Sequence, residues 1–139
     1  MSEEKRKLRR KMMDMREALS PEGVRRESLA VCERLIRHPA FKEGKTILFY
    51  YPHRKELDVR PAMEEAWLAG KRVVLPKSDP ASKSLSFFRI ERGEALVSGS
   101  YGIPEPSGKE SARILPEAID LVVVPGVAFD KQGYRLGYG

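Results

Sequence analysis

The residues best suited to chemistry lie at the carboxyl-terminal end of the chain, where residues 135–139 read RLGYG. Glycine lacks a Cβ and adopts positive φ angles, so backbone N–H groups in such a segment can converge on an anion. Arg135 adds a guanidinium that can hold two phosphate oxygens at once. The pattern fits neither GxGxxG nor the P-loop. From the residues alone, a phosphate-binding loop and an ordinary surface turn both remain open.

A short apolar run must position this loop. Residues 121–124, LVVV, show no polar alternation, which is typical of a strand covered on both faces in a parallel sheet. Pro125 and Gly126 end the run. Open α/β sheets bind ligands just beyond the carboxyl ends of their strands. The glycine loop therefore lies where a ligand is expected.

A glutamate follows the first predicted strand. Residues 46–51, TILFYY, are β-branched and aromatic, and Glu56 lies in the polar loop that comes next. If the two strands are parallel, Glu56 lies at the same edge of the sheet as the glycine loop and can anchor a ligand's donor groups. An ordinary exposed glutamate explains its position equally well. The aromatic residues that are candidates for a wall of this site, or for the core, are Tyr50, Tyr51, Phe87, Phe88 and Tyr101.

Six cations occupy seven positions near the amino terminus. Residues 3–19 contain strong helix formers without glycine or proline, and their apolar residues recur every three or four positions. They predict an amphipathic helix, on which Lys5 and Arg9 point the same way. A phosphate-binding face and a solvated charged face both remain open. The six cations are Lys5, Arg6, Lys7, Arg9, Arg10 and Lys11.

The other elements predict one α/β domain over residues 1–139. Ser20 is the predicted N-cap of a second helix, and Asp58 is the predicted N-cap of a helix over residues 62–69. Residues 72–75 predict a strand stopped by Pro76, which completes a strand–helix–strand unit. Residues 85–90 predict an edge strand. Residues 98–112 predict an irregular loop, and residues 115–119 a helical turn.

Composition narrows the class of protein. The chain has 139 residues, 33% of them charged, and a net charge of +6, which favours anionic partners such as nucleic acid, nucleotides or polycarboxylates. Cys32 is the single cysteine, so an intramolecular disulfide and a thiolate zinc cluster are excluded. No apolar run is long enough for a membrane span or a secretory signal, so a cytoplasmic location is expected.

Four motifs, in this order, resemble the 5-formyltetrahydrofolate cyclo-ligase family, also called 5,10-methenyltetrahydrofolate synthetase. They are KRKLR at residues 5–9, KELDVRP at 55–61, YGIPEP at 101–106 and VPGVAFDKQGYRLGYG at 124–139. The last motif is the specific one, and the resemblance covers essentially the whole chain.

The resemblance implies a three-layer α/β/α fold with a mostly parallel sheet, like that of the sugar-phosphate isomerase and CoA-transferase group. It also implies ATP-dependent ring closure of 5-formyltetrahydrofolate to 5,10-methenyltetrahydrofolate, with release of ADP and phosphate. In the family, ATP phosphorylates the formyl oxygen, N10 attacks the activated carbon, and phosphate leaves. Magnesium assists by bridging phosphate oxygens.

The resemblance also implies roles for individual residues. Arg135 is the candidate catalytic residue. Glu56 would hold the pterin donors of the folate, Tyr51 would line the pocket, and Tyr101 would take the place of a folate-contacting aromatic. The residues implied to bind ATP are Lys5, Arg9, Arg135, Leu136, Gly137, Tyr138 and Gly139.

The chain departs from the family pattern at its end. Family members continue with further glycine, a pair of aromatics, a magnesium-binding aspartate, a helix and one or more strands. We therefore expect C-terminal elements to be missing, the metal-binding aspartate to lie beyond Gly139, and an apolar sheet edge to be exposed. Two alternatives follow for the function: an inactive nucleotide- or folate-binding fragment, and a basic nucleic-acid-binding protein.

Overall fold

The structure is a computed structural model and describes residues 2–138. Its four α-helices are α1 (Glu3–Glu17), α2 (Pro21–Arg37), α3 (Pro39–Glu43) and α4 (Arg60–Leu68). The strands in these residues are β1 (Thr46–Leu48), β2 (Arg72–Asp79), β3 (Ser84–Ile90), β4 (Val97–Ser98), β5 (Pro104–Glu105), β6 (Arg113–Ile114), β7 (Leu121–Val122), β8 (Ala128–Phe129) and β9 (Arg135–Leu136). Short 3-10 turns occupy Ser100–Gly102, Glu110–Ala112 and Pro116–Ala118.

A five-stranded mixed sheet forms the centre of the molecule. Its order is β6-β3-β2-β1-β7. Strand β1 pairs in parallel with β2 and with β7, whereas β3 is antiparallel to both β2 and β6. The predicted α/β class and the β1–α4–β2 unit are confirmed. The predicted mostly parallel sheet is wrong, because the chain returns from β2 to β3 through a tight connection that only an antiparallel pair allows.

The helices begin where local sequence favours a helix start. Ser20 Oγ accepts a hydrogen bond from Gly23 N at 3.0 Å, which confirms the predicted N-cap of α2. Helix α4 begins earlier than predicted, with Val59 at the N-cap position. The Asp58 side chain nevertheless accepts from Arg60 N at 3.0 Å, so it satisfies one backbone donor of the first turn.

One hydrophobic cluster joins α2, α3 and α4 to the sheet. Each large aliphatic side chain buried in such a cluster contributes about 1.5–3 kcal/mol to stability. Cys32 is buried among these residues, and its thiol donates to Asp58 O at 3.3 Å. The buried members are Cys32, Phe41, Ile47, Phe49, Val59, Ala62, Met63, Ala66, Val73, Leu75 and Ile90.

Two strand boundaries differ from prediction. Pro76 does not stop β2, which runs on to Asp79 and pairs with β3 along its whole length. Strand β1 pairs with β2 only as far as Val74, so the missing N–H of Pro76 lies beyond the end of β1 and interrupts no ladder. Strand β3 is not an edge strand either, because β6 pairs with Phe87 and Phe88.

The apolar run before the glycine loop lies at an edge of the sheet. Strand β7 pairs with β1, and Val122 and Val124 are 50% and 47% exposed. The predicted burial on both faces is therefore wrong, because the face that carries these alternate side chains is left uncovered by the described residues. Of these two valines, Val122 lies in the edge strand β7.

Candidate functional site

A tight hairpin builds the start of the glycine loop. Asp130 Oδ1 accepts from Gln132 N at 2.9 Å and from Tyr134 N at 2.8 Å, and Gly133 has a φ of 89° in the turn. Strands β8 and β9 flank this turn as an antiparallel pair, in which Ala128 lies opposite Leu136. The turn thus fixes the direction in which the chain leaves β9.

Arg135 lies against the backbone of its own loop. Its Nη1 donates to Pro125 O at 2.7 Å, while the residue as a whole is exposed. Leu136 O accepts from Val127 N at 2.8 Å. The structure therefore places the guanidinium at the surface beside the end of the β7 segment, where an anion can reach it. Gly139, the last residue predicted to bind ATP, lies outside the described residues.

The first helix meets the glycine loop. Arg9 Nε donates to Gly137 O at 2.8 Å, across 128 positions of the chain. Lys5 lies one turn earlier on α1 and is exposed. The structure thus brings the predicted basic helix and the predicted phosphate loop into contact.

A cleft of about 320 Å³ lies beside this contact. All three residues predicted to bind folate line it: Tyr51, Glu56 and Tyr101. Tyr138, predicted only as a nucleotide-loop residue, lines the same cleft with its side chain. The other lining residues are Tyr50, Pro76, Ser78, Leu85, Ser100, Ile103, Pro104, Glu105 and Pro125.

Glu56 is one of two buried carboxylates that line the cleft. It is 8% exposed, and its Oε1 accepts from His53 N at 2.7 Å. Its Oε2 accepts from the Tyr138 hydroxyl at 2.6 Å. Burial and the nearby Glu56 charge together raise the pKa of Tyr138. The glycine loop and the strand-following glutamate are thus in direct contact, as expected for one edge of a sheet.

Arg16 supports Tyr138 from helix α1. Its Nη1 donates to the Tyr138 hydroxyl at 2.9 Å, and its guanidinium carbon lies 5.5 Å from the centre of the Tyr138 ring. Its Nε is buried and has no hydrogen-bond partner in the described part of the chain. Arg16 was not among the residues predicted from sequence, because its partner lies 122 positions away and helical spacing alone does not distinguish it from its basic neighbours.

Tyr51 is held by an ion pair. Arg60 Nη1 donates to the Tyr51 hydroxyl at 3.3 Å, and Arg60 Nη2 lies 2.9 Å from Asp58 Oδ2. Burial alone would raise the pKa of Asp58, but its hydrogen bonds with Arg60 outweigh this effect and lower the pKa. Arg60 was also missed as a site residue, although the motif KELDVRP contains it.

A second carboxylate anchors the loop that carries Tyr101. Glu105 is 8% exposed, and its Oε2 accepts from Ser78 N at 3.1 Å and from Ser78 Oγ at 2.9 Å. Gly99 packs so closely that a Cβ there would lie 2.1 Å from Glu105 Cδ. Tyr101 itself is 90% exposed, with a φ of 58°. Residues other than glycine rarely adopt a φ in this range unless their surroundings impose it.

The donor set suits organic anions and aromatic rings. One side of the candidate site carries cations and backbone polar groups, and the other side carries a carboxylate and tyrosines. Within residues 2–138, no group of three or more histidine, cysteine, aspartate or glutamate side chains is placed to hold a metal ion. None of the helices in this range is long and apolar enough to cross a bilayer.

Comparison with known proteins agrees with the motif resemblance. The model of the 5-formyltetrahydrofolate cyclo-ligase family matches residues 1–139. The Escherichia coli K12 protein named 5-formyltetrahydrofolate cyclo-ligase is 34% identical over 126 residues, which are 89% of this chain and 69% of that protein. A Schizosaccharomyces pombe protein named probable 5-formyltetrahydrofolate cyclo-ligase is 34% identical over 116 residues, which are 81% of this chain and 56% of that protein.

Two solved structures share the fold. The solution structure of 5,10-methenyltetrahydrofolate synthetase from Aquifex aeolicus matches with a TM-score of 0.84 and 40% identity, over 97% of this chain and 67% of that chain. The Mycoplasma pneumoniae synthetase matches with a TM-score of 0.72 and 25% identity, over 97% of this chain and 71% of that chain. This chain spans 56% to 69% of the length of the two curated relatives described above. By sequence along its whole length and by fold, the chain belongs to the 5-formyltetrahydrofolate cyclo-ligase family.

Proposed function

We propose that this chain performs the ATP-dependent cyclisation of 5-formyltetrahydrofolate to 5,10-methenyltetrahydrofolate, with release of ADP and phosphate. One observation carries the proposal. Gly137 is bonded to the basic helix through Arg9, and the next residue, Tyr138, is bonded to Glu56 in the cleft. The proposed phosphate site and the proposed folate site would therefore be adjacent, as phosphoryl transfer between two bound substrates requires.

The chemistry assigns a task to each side of the site. The formyl oxygen takes the γ-phosphoryl group, which makes the formyl carbon electrophilic. N10 then forms a bond to that carbon and loses its proton, and the C–O bond to phosphate breaks. Lys5, Arg9 and Arg135 would offset the charge on the phosphate oxygens. Catalysis of this kind depends mainly on positioning and electrostatic stabilisation.

The cleft would hold the folate. The Glu56 carboxylate is an acceptor for ring N–H donors of the pterin, and hydrogen bonds to a charged acceptor are stronger than neutral ones. Tyr51 and Tyr101 provide flat apolar surfaces for the ring system. In this arrangement the reacting end of the folate would face the loop at residues 135–138.

Magnesium is part of the proposal only as a companion of ATP. The described residues do not form a cluster of acidic or histidine ligands, so they do not fit a resident metal, and we derive no step through one. The proposal keeps a single domain with the three-layer α/β/α arrangement. It also keeps a cytoplasmic location, although one relative, from Arabidopsis thaliana, is named as mitochondrial.

The family assignment supports the enzyme over a basic nucleic-acid-binding protein. Because the chain spans only part of its relatives' length, binding and turnover need separate measurements. Calorimetry with ATP and with 5-formyltetrahydrofolate measures binding. The near-ultraviolet absorbance of the methenyl product measures turnover.

The decisive assay mixes the chain with 5-formyltetrahydrofolate, ATP and Mg²⁺ and follows product absorbance. We expect product only when ATP is present, and a loss of folate binding in Glu56→Gln, which removes the charge but keeps the shape. Binding of both ligands without product would restrict the chain to a binding role. If a folded chain binds neither ligand, the proposal is wrong.

A further inference from the structure

Tyr138 joins the two candidate sites. Its neighbour Gly137 accepts the hydrogen bond from Arg9 Nε at 2.8 Å, on the phosphate side. Tyr138 itself donates to Glu56 Oε2 at 2.6 Å, on the folate side. Two consecutive residues therefore contact the two candidate sites, one on each side.

The hydrogen-bond directions at Tyr138 are fixed by its neighbours. A guanidinium only donates, so the Tyr138 oxygen accepts the 2.9 Å bond from Arg16 Nη1. The single hydroxyl proton must then point to Glu56, which accepts it. Burial and the Glu56 charge raise the pKa of Tyr138, so the hydroxyl stays protonated at neutral pH and continues to donate.

Both oxygens of the Glu56 carboxylate already accept hydrogen bonds from the protein. Its Oε1 takes the bond from His53 N, and its Oε2 takes the bond from Tyr138. Because Glu56 is 8% exposed, little of the carboxylate surface is left for a ligand. The Tyr138 hydroxyl therefore competes with a ring N–H donor for Oε2.

We propose that Tyr138 couples the two sites: its hydroxyl blocks Glu56 in the ligand-free chain, and a polyphosphate that draws Arg9 away from Gly137 releases Tyr138 and frees the carboxylate for folate. This inference rests on the proposed function and gives Tyr138 a positioning role in it. A guanidinium binds phosphate oxygens more strongly than a backbone carbonyl, so phosphate binding can drive the release. By linkage, folate must tighten nucleotide binding by the same factor.

Calorimetry on the full chain tests the coupling without turnover. The affinity for 5-formyltetrahydrofolate is measured alone and with a saturating non-hydrolysable ATP analogue and Mg²⁺. In the wild type, we expect the analogue to tighten folate binding about ten-fold, the scale of one hydrogen bond to a charged group. In Tyr138→Phe, folate alone should bind about ten-fold more tightly than to the wild type, with no further gain from the analogue.

Two further variants keep the test specific. Tyr134→Phe removes a hydroxyl from the same hairpin, where the ring is 75% exposed, and should behave as the wild type. Arg16→Met removes the donor that orients Tyr138 and should shift folate affinity in the same direction as Tyr138→Phe, by a smaller factor. Circular dichroism confirms that each variant is folded.

The outcomes separate the two proposals. If the wild type binds both ligands but independently, the coupling is wrong, and the proposed function is decided separately by the product-absorbance assay. The coupling is also wrong if Tyr138→Phe binds folate alone no more tightly than the wild type does. If the wild type binds neither ligand, the proposed function and the coupling both fall.

Discussion

Arg9 Nε and the carbonyl oxygen of Gly137 lie 2.8 Å apart although the two residues are 128 positions apart along the chain. This bond draws the first helix onto the carboxyl-terminal loop, so that cations and glycines from opposite ends of the sequence form one surface. A phosphate presented to that surface competes with the carbonyl oxygen for the same guanidinium. The bond therefore marks the place where we expect nucleotide phosphates.

Arg9→Met tests this assignment. We expect ATP binding to weaken about ten-fold or more, because a charge-assisted hydrogen bond to phosphate is lost. We also expect the free energy of unfolding to fall by about 1–3 kcal/mol, because Gly137 loses its charged donor. Calorimetry with ATP and urea denaturation measure the two effects.

Arg10→Met is the matched control for Arg9. It removes the same charge from the neighbouring exposed position of the same helix. If both substitutions weaken ATP binding equally, the effect comes from the overall charge of α1, and the specific role of Arg9 is wrong.

Glu105 should stabilise the loop that carries Tyr101. Its Oε2 accepts from Ser78 N and Ser78 Oγ, and Lys77 Nζ lies 3.7 Å from its Oε1. Glu105→Ala leaves these donors without their acceptor and should lower the free energy of unfolding by about 2–4 kcal/mol. Glu105→Gln keeps an acceptor oxygen and should lose less. Urea denaturation of both variants measures the difference, and equal losses would contradict the hydrogen-bonding role.

Gly99→Ala tests the same anchor from the opposite side. The added Cβ would lie 2.1 Å from Glu105 Cδ, so the carboxylate has to move away from Ser78. We expect destabilisation similar to that of Glu105→Ala, and a weaker folate affinity because Tyr101 is displaced. In the double variant the two losses should be far from additive, since both act through one contact.

Local sequence predicted the elements better than it predicted their partners. The Ser20 cap and the β1–α4–β2 unit depend on residues close together in sequence, and both are confirmed. The contact between Glu56 and the glycine loop followed from one topological rule about strand ends. Pro76 was misjudged because whether proline stops a strand depends on where the neighbouring strand ends, which its own sequence does not show.

Residues whose role depends on a distant partner escaped prediction. Ser78 and Glu105 are 27 positions apart and meet only because the loop at residues 98–106 folds back onto β2. In the sequence, nothing distinguishes Arg16 from the other cations of α1; only its contact with Tyr138 in the folded chain does. In each case the missing information is a tertiary distance, which neither periodicity nor residue type supplies.

We expect the hydrogen bonds that Asp120 accepts at the start of strand β1 to be sensitive to acid. Its Oδ2 accepts from Lys45 N at 2.8 Å and from Thr46 N at 3.0 Å, and these backbone hydrogen bonds lower the pKa of Asp120 in the folded chain. Because the pKa of Asp120 is lower in the folded chain than its value of about 3.9 in the unfolded chain, the ionised side chain stabilises the fold at pH values above about 3.9. This stabilisation is lost as the pH falls through the pKa of the folded chain. Asp120→Asn keeps the acceptor oxygen but loses the charge.

The stability difference between wild type and Asp120→Asn should therefore depend on pH in one direction. We expect the wild type to be more stable at pH 7 and the difference to shrink as pH falls below about 4. Urea denaturation at several pH values measures it. A difference that stays constant on acidification would show that the charge of Asp120 contributes nothing.

Tyr101 should trade stability for ligand binding. Its ring is 90% exposed at the mouth of the cleft, and its φ of 58° is one that asparagine tolerates better than tyrosine. Tyr101→Asn should leave the free energy of unfolding at or above the wild-type value, because little packing is lost and backbone strain is relieved. The same change should weaken 5-formyltetrahydrofolate binding about ten-fold, the scale of one lost aromatic stacking contact, and leave ATP affinity unchanged. Calorimetry with each ligand and urea denaturation measure all three quantities.

Tyr134→Asn, in the exposed turn of the hairpin, is the control and should change neither affinity. If it weakens folate binding as much as Tyr101→Asn does, the specific contact between Tyr101 and folate is wrong.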